Sequence, residues 1–174
     1  LLAWTTTPWT LPSNTGLAVG PEVEYVKVRT FNPYTAKPIT VYLAKDTLPQ
    51  FFNPDYENAP LEFEEGQKQL PYQIEETLHG KDMEGWRYEQ LLPYVQPEQG
   101  DPFRVVTGDF VTTDEGTGIV HLAPTFGEDD FRVGKEKDLP PLTVPDPDNP
   151  NRQIPLVDRN GRFVEQVTDF AGRF

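Results

Sequence analysis

Two short segments carry the side chains whose types and spacing could support chemistry. The first, residues 5–14, begins with three consecutive threonines and ends with Asn14. The second, residues 116–130, begins Gly-Thr-Gly, includes His121 and ends with two aspartates. Hydroxyls at one strand end, a histidine on another strand and a carboxylate at a helix start could form one small polar pocket. Such a pocket suits recognition of a ribose diol and a positively charged amine.

Each of these features also has an ordinary structural interpretation. Threonine runs are common in strands. Gly-Thr-Gly is typical of a tight turn, because it lacks the lysine and the spacing of a phosphate-binding loop. A single histidine on a strand can be a hydrogen-bonded core residue, and Asp129 and Asp130 can stabilise the start of a helix. Nucleophilic catalysis is not indicated, since the chain has no cysteine and no serine in a nucleophile elbow.

The composition narrows the possible functions. The 174 residues include 28 acidic and 15 basic side chains, which gives a formal net charge of −13. An autonomous nucleic-acid binder needs clustered Lys and Arg, so any contact with a nucleic acid must take most of its binding energy from elsewhere. The absence of cysteine excludes disulfides and thiolate zinc sites, and two histidines make a poor metal site. No apolar run approaches the ~20 residues that cross a bilayer, and we expect a cytoplasmic protein.

The pattern of apolar residues predicts a mainly β chain with a few short helices, arranged as a barrel or a sandwich. Strands are predicted at residues 1–7, 17–19, 25–28, 39–43, 72–78, 103–106, 110–113 and 119–122. Short helices are predicted at residues 45–52 and 127–137, and residues 85–92 fit either a strand or a helical turn. Hairpins are predicted around residues 32–34 and at residues 158–161, and a turn at residues 114–116. Pro8 and Pro12 predict an irregular, extended path.

The length and punctuation of the chain indicate one domain over residues 1–174. Nineteen prolines and thirteen glycines predict many loops and no long helix. Residues 53–102 are the least regular stretch, with proline, glutamate and glutamine scattered among aromatics. We therefore interpret residues 53–102 as a surface insertion within the single domain.

Taken together, the two segments resemble the editing domain that is inserted in class I isoleucyl-tRNA synthetases. The first segment is similar to the family's threonine-rich peptide, and the second to its Gly-Thr-Gly segment, which ends in a functional aspartate. In the valyl and leucyl relatives the first block typically reads Thr-Thr-Arg-Pro and then an acidic residue, whereas here a third threonine precedes Pro8. The valyl type carries lysine where this chain has His121. The resemblance is sharp over residues 4–20 and 108–137 and general elsewhere.

The resemblance implies a fold and an activity. The fold would be a closed, Greek-key-like β-barrel with helical decorations, as in the valyl, isoleucyl and leucyl editing domains. The activity would be hydrolysis of the ester between valine and the terminal adenosine of the isoleucine tRNA. The chain lacks the His-x-Gly-His and Lys-Met-Ser-Lys-Ser patterns of ATP chemistry. The resemblance therefore implies a monomeric fragment of a larger synthetase that needs no cofactor or metal, while ATP and Mg serve the parent enzyme.

The resemblance also implies roles for individual residues. Asp130 would hold the α-ammonium of the substrate, and its neighbour Asp129 does not fall on the family's position. Thr5 would contribute to substrate binding, while Thr6 and Thr7 would contact the ribose and ester and help to place the attacking water. His121 would limit the pocket and contact the substrate, and Asn14 matches a polar position that affects editing. The predicted site residues, with no metal ligand among them, are Thr5, Thr6, Thr7, Asn14, His121 and Asp130.

Two alternatives belong to other functional classes. One is a catalytically silent module that only binds or positions the acceptor end of the tRNA. The retention of Asp130 together with the threonine run argues against it. The other is an acid-protease-like barrel, but the chain contains no Asp-Thr-Gly or Asp-Ser-Gly motif.

Overall fold

A computed structural model describes all residues, 1–174, as a mainly β chain with short helices. The strands are β1 Gly16–Val19, β2 Glu24–Phe31, β3 Pro38–Ala44, β4 Gln73–His79, β5 Arg104–Thr107, β6 Ile119–Leu122, β7 Thr143–Asp146 and β8 Asn149–Pro155. The α-helices are α1 Leu48–Phe51, α2 Gly80–Met83 and α3 Glu128–Glu136. Short 3-10 helices cover Pro8–Ser13, Lys45–Thr47 and Pro54–Tyr56.

The eight strands form three separate sheets. Their orders are β5-β1-β6, β3-β2-β4 and β7-β8. The mainly β fold class is confirmed, whereas the closed Greek-key-like barrel is not found. A barrel requires one continuous sheet whose first and last strands pair, whereas the strands here form three separate sheets.

The first compact unit comprises Leu1–Trp4, Val19–Glu84 and Thr107–Val120. In it β2 pairs antiparallel with both β3 and β4, and Val28 lies opposite Val41 and Ile74. The β2–β3 hairpin forms around Asn32, whose side-chain oxygen accepts the backbone N–H groups of the next turn residues. The core of this unit consists of Val26, Val28, Leu43, Leu48, Phe52 and Tyr72.

The second compact unit comprises Thr5–Ala18, Gly85–Val106 and His121–Phe174. It contains α3, the β7–β8 hairpin and most of the β5-β1-β6 sheet. A buried cluster of Leu142, Val144, Leu156 and Val167 forms one core of this unit. Every residue that the sequence singled out as a site residue lies in this unit.

Most of the predicted elements are confirmed, and four predictions about local structure are wrong. Residues 1–7 do not form a buried strand: Trp4 makes one isolated bridge to Val120, and its side chain is half exposed. Pro8 and Pro12 lie in a 3-10 helix rather than an extended segment. Residues 110–113 form no strand, and residues 85–92 form neither a strand nor a helix, with only an isolated bridge at Arg87.

The errors over residues 1–12 have a physical cause. Short side chains that bond the local backbone, and prolines that cannot join a ladder, favour turns over strands. The hairpin predicted at residues 158–161 is reduced to a turn: the Asp158 carboxylate accepts the N–H groups of Asn160 and Arg162, and one isolated bridge joins Val157 to Phe163. The β7–β8 hairpin was not predicted, because proline-rich residues 139–155 carry little strand signal.

The expectation of one domain with an insertion at residues 53–102 stays a prediction. Within that range β4 and α2 lie in the first compact unit, while residues 85–102 lie in the second. No helix has the length and apolar character needed to span a membrane.

Candidate active site

The threonine run forms a turn that is held by its own side chains. The Thr5 hydroxyl accepts the backbone N–H of Thr7 at 3.1 Å, and the two hydroxyls lie 3.3 Å apart. Thr7 precedes the 3-10 helix, and its carbonyl accepts both the backbone N–H of Thr10 (3.0 Å) and the Thr10 hydroxyl (2.8 Å). Thr6 is exposed. Bonds of this kind draw threonine away from the strand and present hydroxyls at a turn.

His121 lies under this turn, on β6. Its ring is buried, with 7% of the residue exposed. Nε2 lies 2.8 Å from the Thr10 hydroxyl, and Nδ1 lies 2.8 Å from the side-chain nitrogen of Asn14. Both ring nitrogens therefore have partners within the protein.

The contacts of Asn14 determine which nitrogen of His121 carries the proton. The Asn14 amide nitrogen lies 2.9 Å from the carbonyl of Gly16 and 3.3 Å from that of Leu122, and its oxygen accepts the Tyr88 hydroxyl at 2.7 Å. A flipped amide would place its oxygen against two carbonyls, so the observed orientation is the satisfied one. Because the amide nitrogen donates to Nδ1, the proton of neutral His121 lies on Nε2 and is donated to Thr10.

Burial shifts the pKa of two residues in this network, His121 and Tyr88. Desolvation lowers the pKa of His121 from 6.5 to about 4, so the ring is neutral at physiological pH. Desolvation also raises the pKa of Tyr88 well above its usual value of 10, against the opposing effect of the Asn14 hydrogen bond. Tyr88 therefore remains a hydrogen-bond donor at physiological pH, where His121 is neutral.

Asp130 lies in the first turn of α3, beside the end of β6. Its Oδ2 accepts the backbone N–H of Ala123 at 2.9 Å. Burial raises the pKa of this carboxyl, the Ala123 N–H opposes the rise, and the neighbouring Asp129 carboxylate adds to it, with no cation among the causes. Asp129 itself is exposed and contacts Arg132 at 3.2 Å. Asp130 is thus a partly desolvated carboxylate whose charge no Lys or Arg compensates.

The structure brings together most, but not all, of the predicted site residues. Thr5, Thr7, Asn14 and His121 belong to one hydrogen-bonded network. The Asp130 carboxylate bonds the backbone N–H of Ala123. Ala123 is two residues after His121, so their Cα atoms lie at most about 7 Å apart. Thr6 lies between the two networked threonines without a hydrogen bond of its own to this network.

Two members of the network were missed by the sequence analysis. Thr10 was quoted only as part of the threonine-rich segment, yet it joins Thr7 to His121. Its position three residues after Thr7, beyond a proline, is a signal for a side-chain bond back to the turn. Tyr88 carries no local signal at all, because its partner Asn14 lies 74 residues away in the chain. No group of three or more His, Asp or Glu side chains is placed to hold a metal ion.

Comparison of the structure with solved proteins defines the class of fold. The cytosolic leucyl-tRNA synthetase editing domain of P. knowlesi matches 78% of this chain and 50% of its own chain, with a TM-score of 0.55 and 15% identity. At that identity the likeness concerns the fold alone. The chain therefore has the fold of a synthetase editing domain.

Comparison of the sequence identifies the family. No protein-family model matches the chain. The isoleucine–tRNA ligase of Cytophaga hutchinsonii is 55% identical over 174 residues, and that of Porphyromonas gingivalis is 57% identical over 191 residues. Each alignment covers 99% of this chain but only 15% and 16% of those ligases, so the chain spans about a sixth of their length. The chain belongs to the isoleucine–tRNA ligase family as a segment of that length.

Proposed function

We propose that the chain is the editing module of an isoleucine–tRNA ligase, and that it hydrolyses the ester joining valine to the terminal adenosine of tRNA(Ile). One observation carries the proposal: a buried, neutral histidine holds a turn of threonine hydroxyls, and a carboxylate without a cation bonds the backbone two residues after that histidine. An aminoacyl ester on a ribose offers hydroxyls for the first group and an ammonium for the second.

A second site of this kind answers a physical limit on recognition. Valine lacks one methylene of isoleucine, and for this enzyme class a missing methylene is known to be worth only ~1–3 kcal/mol, or about 10–200-fold. A pocket built for isoleucine therefore admits some valine. A separate hydrolytic pocket that accepts valine and excludes isoleucine supplies the remaining discrimination.

Asp130 is suited to the substrate's α-ammonium. A carboxylate held partly out of water gains most from a cation, because the ion pair replaces the hydration that the folded chain has already removed. Its Oδ2 is anchored by Ala123, which fixes the direction of the carboxylate before substrate arrives. In this proposal the ammonium takes the place of the missing cation.

The threonine turn is suited to the ribose and the attacking water. Thr6 and Thr7 are exposed, and Thr5 and Thr7 are fixed by their mutual contact and by Thr10. Water adds to the ester carbonyl, the bond to the ribose oxygen breaks, and that oxygen takes up a proton as valine leaves. His121 has no free nitrogen, so its proposed role is to position the turn rather than to abstract a proton. Orientation of water and ester contributes most of the rate in such a site.

The partners follow from the same proposal. The acceptor end of tRNA(Ile) carrying valine enters the site, and the rest of the ligase chain supplies most of the tRNA binding. No cofactor or metal is assigned to this module, and ATP and Mg would serve ligation elsewhere in the ligase. The isolated module is expected to be a monomer.

The proposal is tested by deacylation of valine-charged tRNA(Ile) with the full-length ligase that carries this chain. We expect hydrolysis that falls by at least tenfold in the Thr6→Val, Thr7→Val double variant, because both exposed hydroxyls are removed at nearly constant volume. Thr35→Val is the matched control, since Thr35 is an exposed threonine of the β2–β3 turn in the first unit. A ligase that binds the charged tRNA without hydrolysing it would support the silent module instead.

A further inference from the structure

The Tyr88 hydroxyl contacts the candidate site, although the ring and backbone of Tyr88 are already held in place by Phe103. It follows α2 in a segment without helix or strand, and its ring packs edge-on against Phe103 at 6.2 Å. Its backbone N–H is held by the Phe103 carbonyl at 3.0 Å. With backbone and ring already placed, the hydroxyl still donates to the Asn14 side-chain oxygen at 2.7 Å, the shortest bond that Asn14 makes.

We propose that Tyr88 is a positioning residue for the hydrolysis, acting on the threonine turn through Asn14, His121 and Thr10. The four residues form a relay of hydrogen bonds that runs in one direction, from Tyr88 to the threonine turn. Tyr88 donates to Asn14, Asn14 to Nδ1 of His121, Nε2 of His121 to the Thr10 hydroxyl, and that hydroxyl to the Thr7 carbonyl. This proposal deepens the proposed function and rests on it.

The backbone near Asn14 is fixed independently of Tyr88. The N–H of Asn14 donates to the Leu11 carbonyl at 3.0 Å, and the N–H of Thr15 donates to the Leu122 carbonyl at 3.1 Å. What Tyr88 controls is therefore the side-chain amide, whose oxygen has Tyr88 as its donor. Loss of that donor leaves a buried oxygen unsatisfied, and the amide is then held only through its nitrogen, by Gly16, Leu122 and His121.

Loss of the Tyr88 hydroxyl also affects the threonine turn at the other end of the relay. If the amide turns, Nδ1 loses its donor, and the ring is no longer required to keep its proton on Nε2. Thr10 then loses a partner at 2.8 Å, and the turn that presents Thr7 samples more orientations. A less ordered turn slows the chemical step more than it weakens binding, because Asp130 and its ammonium contact are left intact.

The test uses Tyr88→Phe in the full-length ligase, which deletes only the hydroxyl. We expect kcat for deacylation of valine-charged tRNA(Ile) to fall about tenfold with KM within about twofold of wild type. Tyr94→Phe is the matched control, because Tyr94 is also half-buried in the second unit and also donates a 2.7 Å hydrogen bond, to Asp169. An equal loss in both variants, or an unchanged kcat in Tyr88→Phe, would overturn the proposal.

A double variant distinguishes an effect of Tyr88 that passes through Thr10 from an independent effect on the fold. Thr10→Val cuts the relay at its far end with little change in volume. If Tyr88 acts through Thr10, adding Tyr88→Phe to Thr10→Val lowers kcat by less than twofold further, whereas independent effects would multiply to the full tenfold. Wild-type activity distinguishes the two levels of the proposal. A wild type that fails to hydrolyse refutes the proposed function, while an active wild type with multiplicative variants refutes only the relay.

Discussion

The protonation state of His121 leads to a quantitative expectation for the pH dependence of hydrolysis. Its ring is buried, both nitrogens are bonded, and desolvation lowers its pKa to about 4. Because the group becomes protonated only when the pH falls toward 4, lowering the pH from 7.5 to 5.5 leaves it neutral. A solvent-exposed histidine acting as a general base would titrate inside this range.

The neutral fraction of His121 at each pH distinguishes a positioning role from that of a general base. With a pKa of about 4, the neutral fraction of His121 is roughly 97% at pH 5.5 and near 100% at pH 7.5. With the ordinary value of 6.5 the neutral fraction would be roughly 9% at pH 5.5 and 91% at pH 7.5, a tenfold change. The contribution of His121 to the rate should therefore be constant across these two pH units.

The assay compares the full-length ligase with its His121→Gln variant, in which the side chain still donates and accepts but does not titrate. Deacylation of valine-charged tRNA(Ile) is measured in single turnover at pH 5.5, 6.5 and 7.5, with the rate without enzyme subtracted. We expect the ratio of wild-type to variant rate constants to stay within about 1.5-fold. A ratio that climbs about tenfold with pH would show that His121 titrates near 6.5, and would refute its placement as a neutral positioning residue.

Four further expectations follow from the same site. Asp130→Ala in the full-length ligase should lower the deacylation rate at least tenfold, because it removes a charge-assisted contact of ~1.5–3 kcal/mol. Asp129→Ala should stay near the wild-type rate, and the reverse order of rates would mean that Asp129, not Asp130, binds the ammonium. The isolated chain, with a net charge of −13, should bind tRNA with a Kd above about 1 µM at ~0.15 M salt, and tighter binding in a titration would contradict this. If the carbon edge of His121 borders the pocket, His121→Ala should begin to deacylate isoleucine-charged tRNA; an unchanged preference with a large loss of Tm would make the residue purely structural. Because the unfolded chain protonates His121 near pH 6.5 and the folded chain only near 4, stability should be full above pH 6.5 and fall by up to about 3 kcal/mol as the pH drops through that window; hydrogen exchange at the Thr15 N–H should show this fall in wild type and much less of it in His121→Gln.

Elements with one dominant local signal could be predicted from the sequence. The β-branched run of β6 and the acidic start of α3 gave their positions to within a residue or so. The hairpin of β2 and β3 followed from Asn32 and its turn residues. In these places side-chain type and backbone preference agree, so a short window of sequence contains the information.

The threonine run shows where local reasoning fails. By propensity three threonines favour a strand, yet Thr5 bonds the backbone of Thr7, and Pro8 ends any ladder. The decision depends on side-chain hydrogen bonds that propensity does not count. The site residues themselves came from a resemblance over two short segments. Their pairing across the fold, and the contribution of Tyr88, depend on contacts that span 74 to 111 residues and leave no trace in either segment.

The neutral ring of His121 also sets the direction in which the Thr5, Thr7 and Thr10 hydroxyls donate their protons. His121 donates to the Thr10 hydroxyl, and that hydroxyl donates its own proton to the Thr7 carbonyl. In the 3.3 Å contact between the Thr7 and Thr10 hydroxyls, Thr7 must therefore be the donor. By the same reasoning the Thr5 hydroxyl points its proton toward Thr7. Thr5 and Thr7 therefore present lone pairs on the outer face of the turn. These lone pairs can accept hydrogen bonds from groups that carry protons, such as a water or the hydroxyls of a sugar.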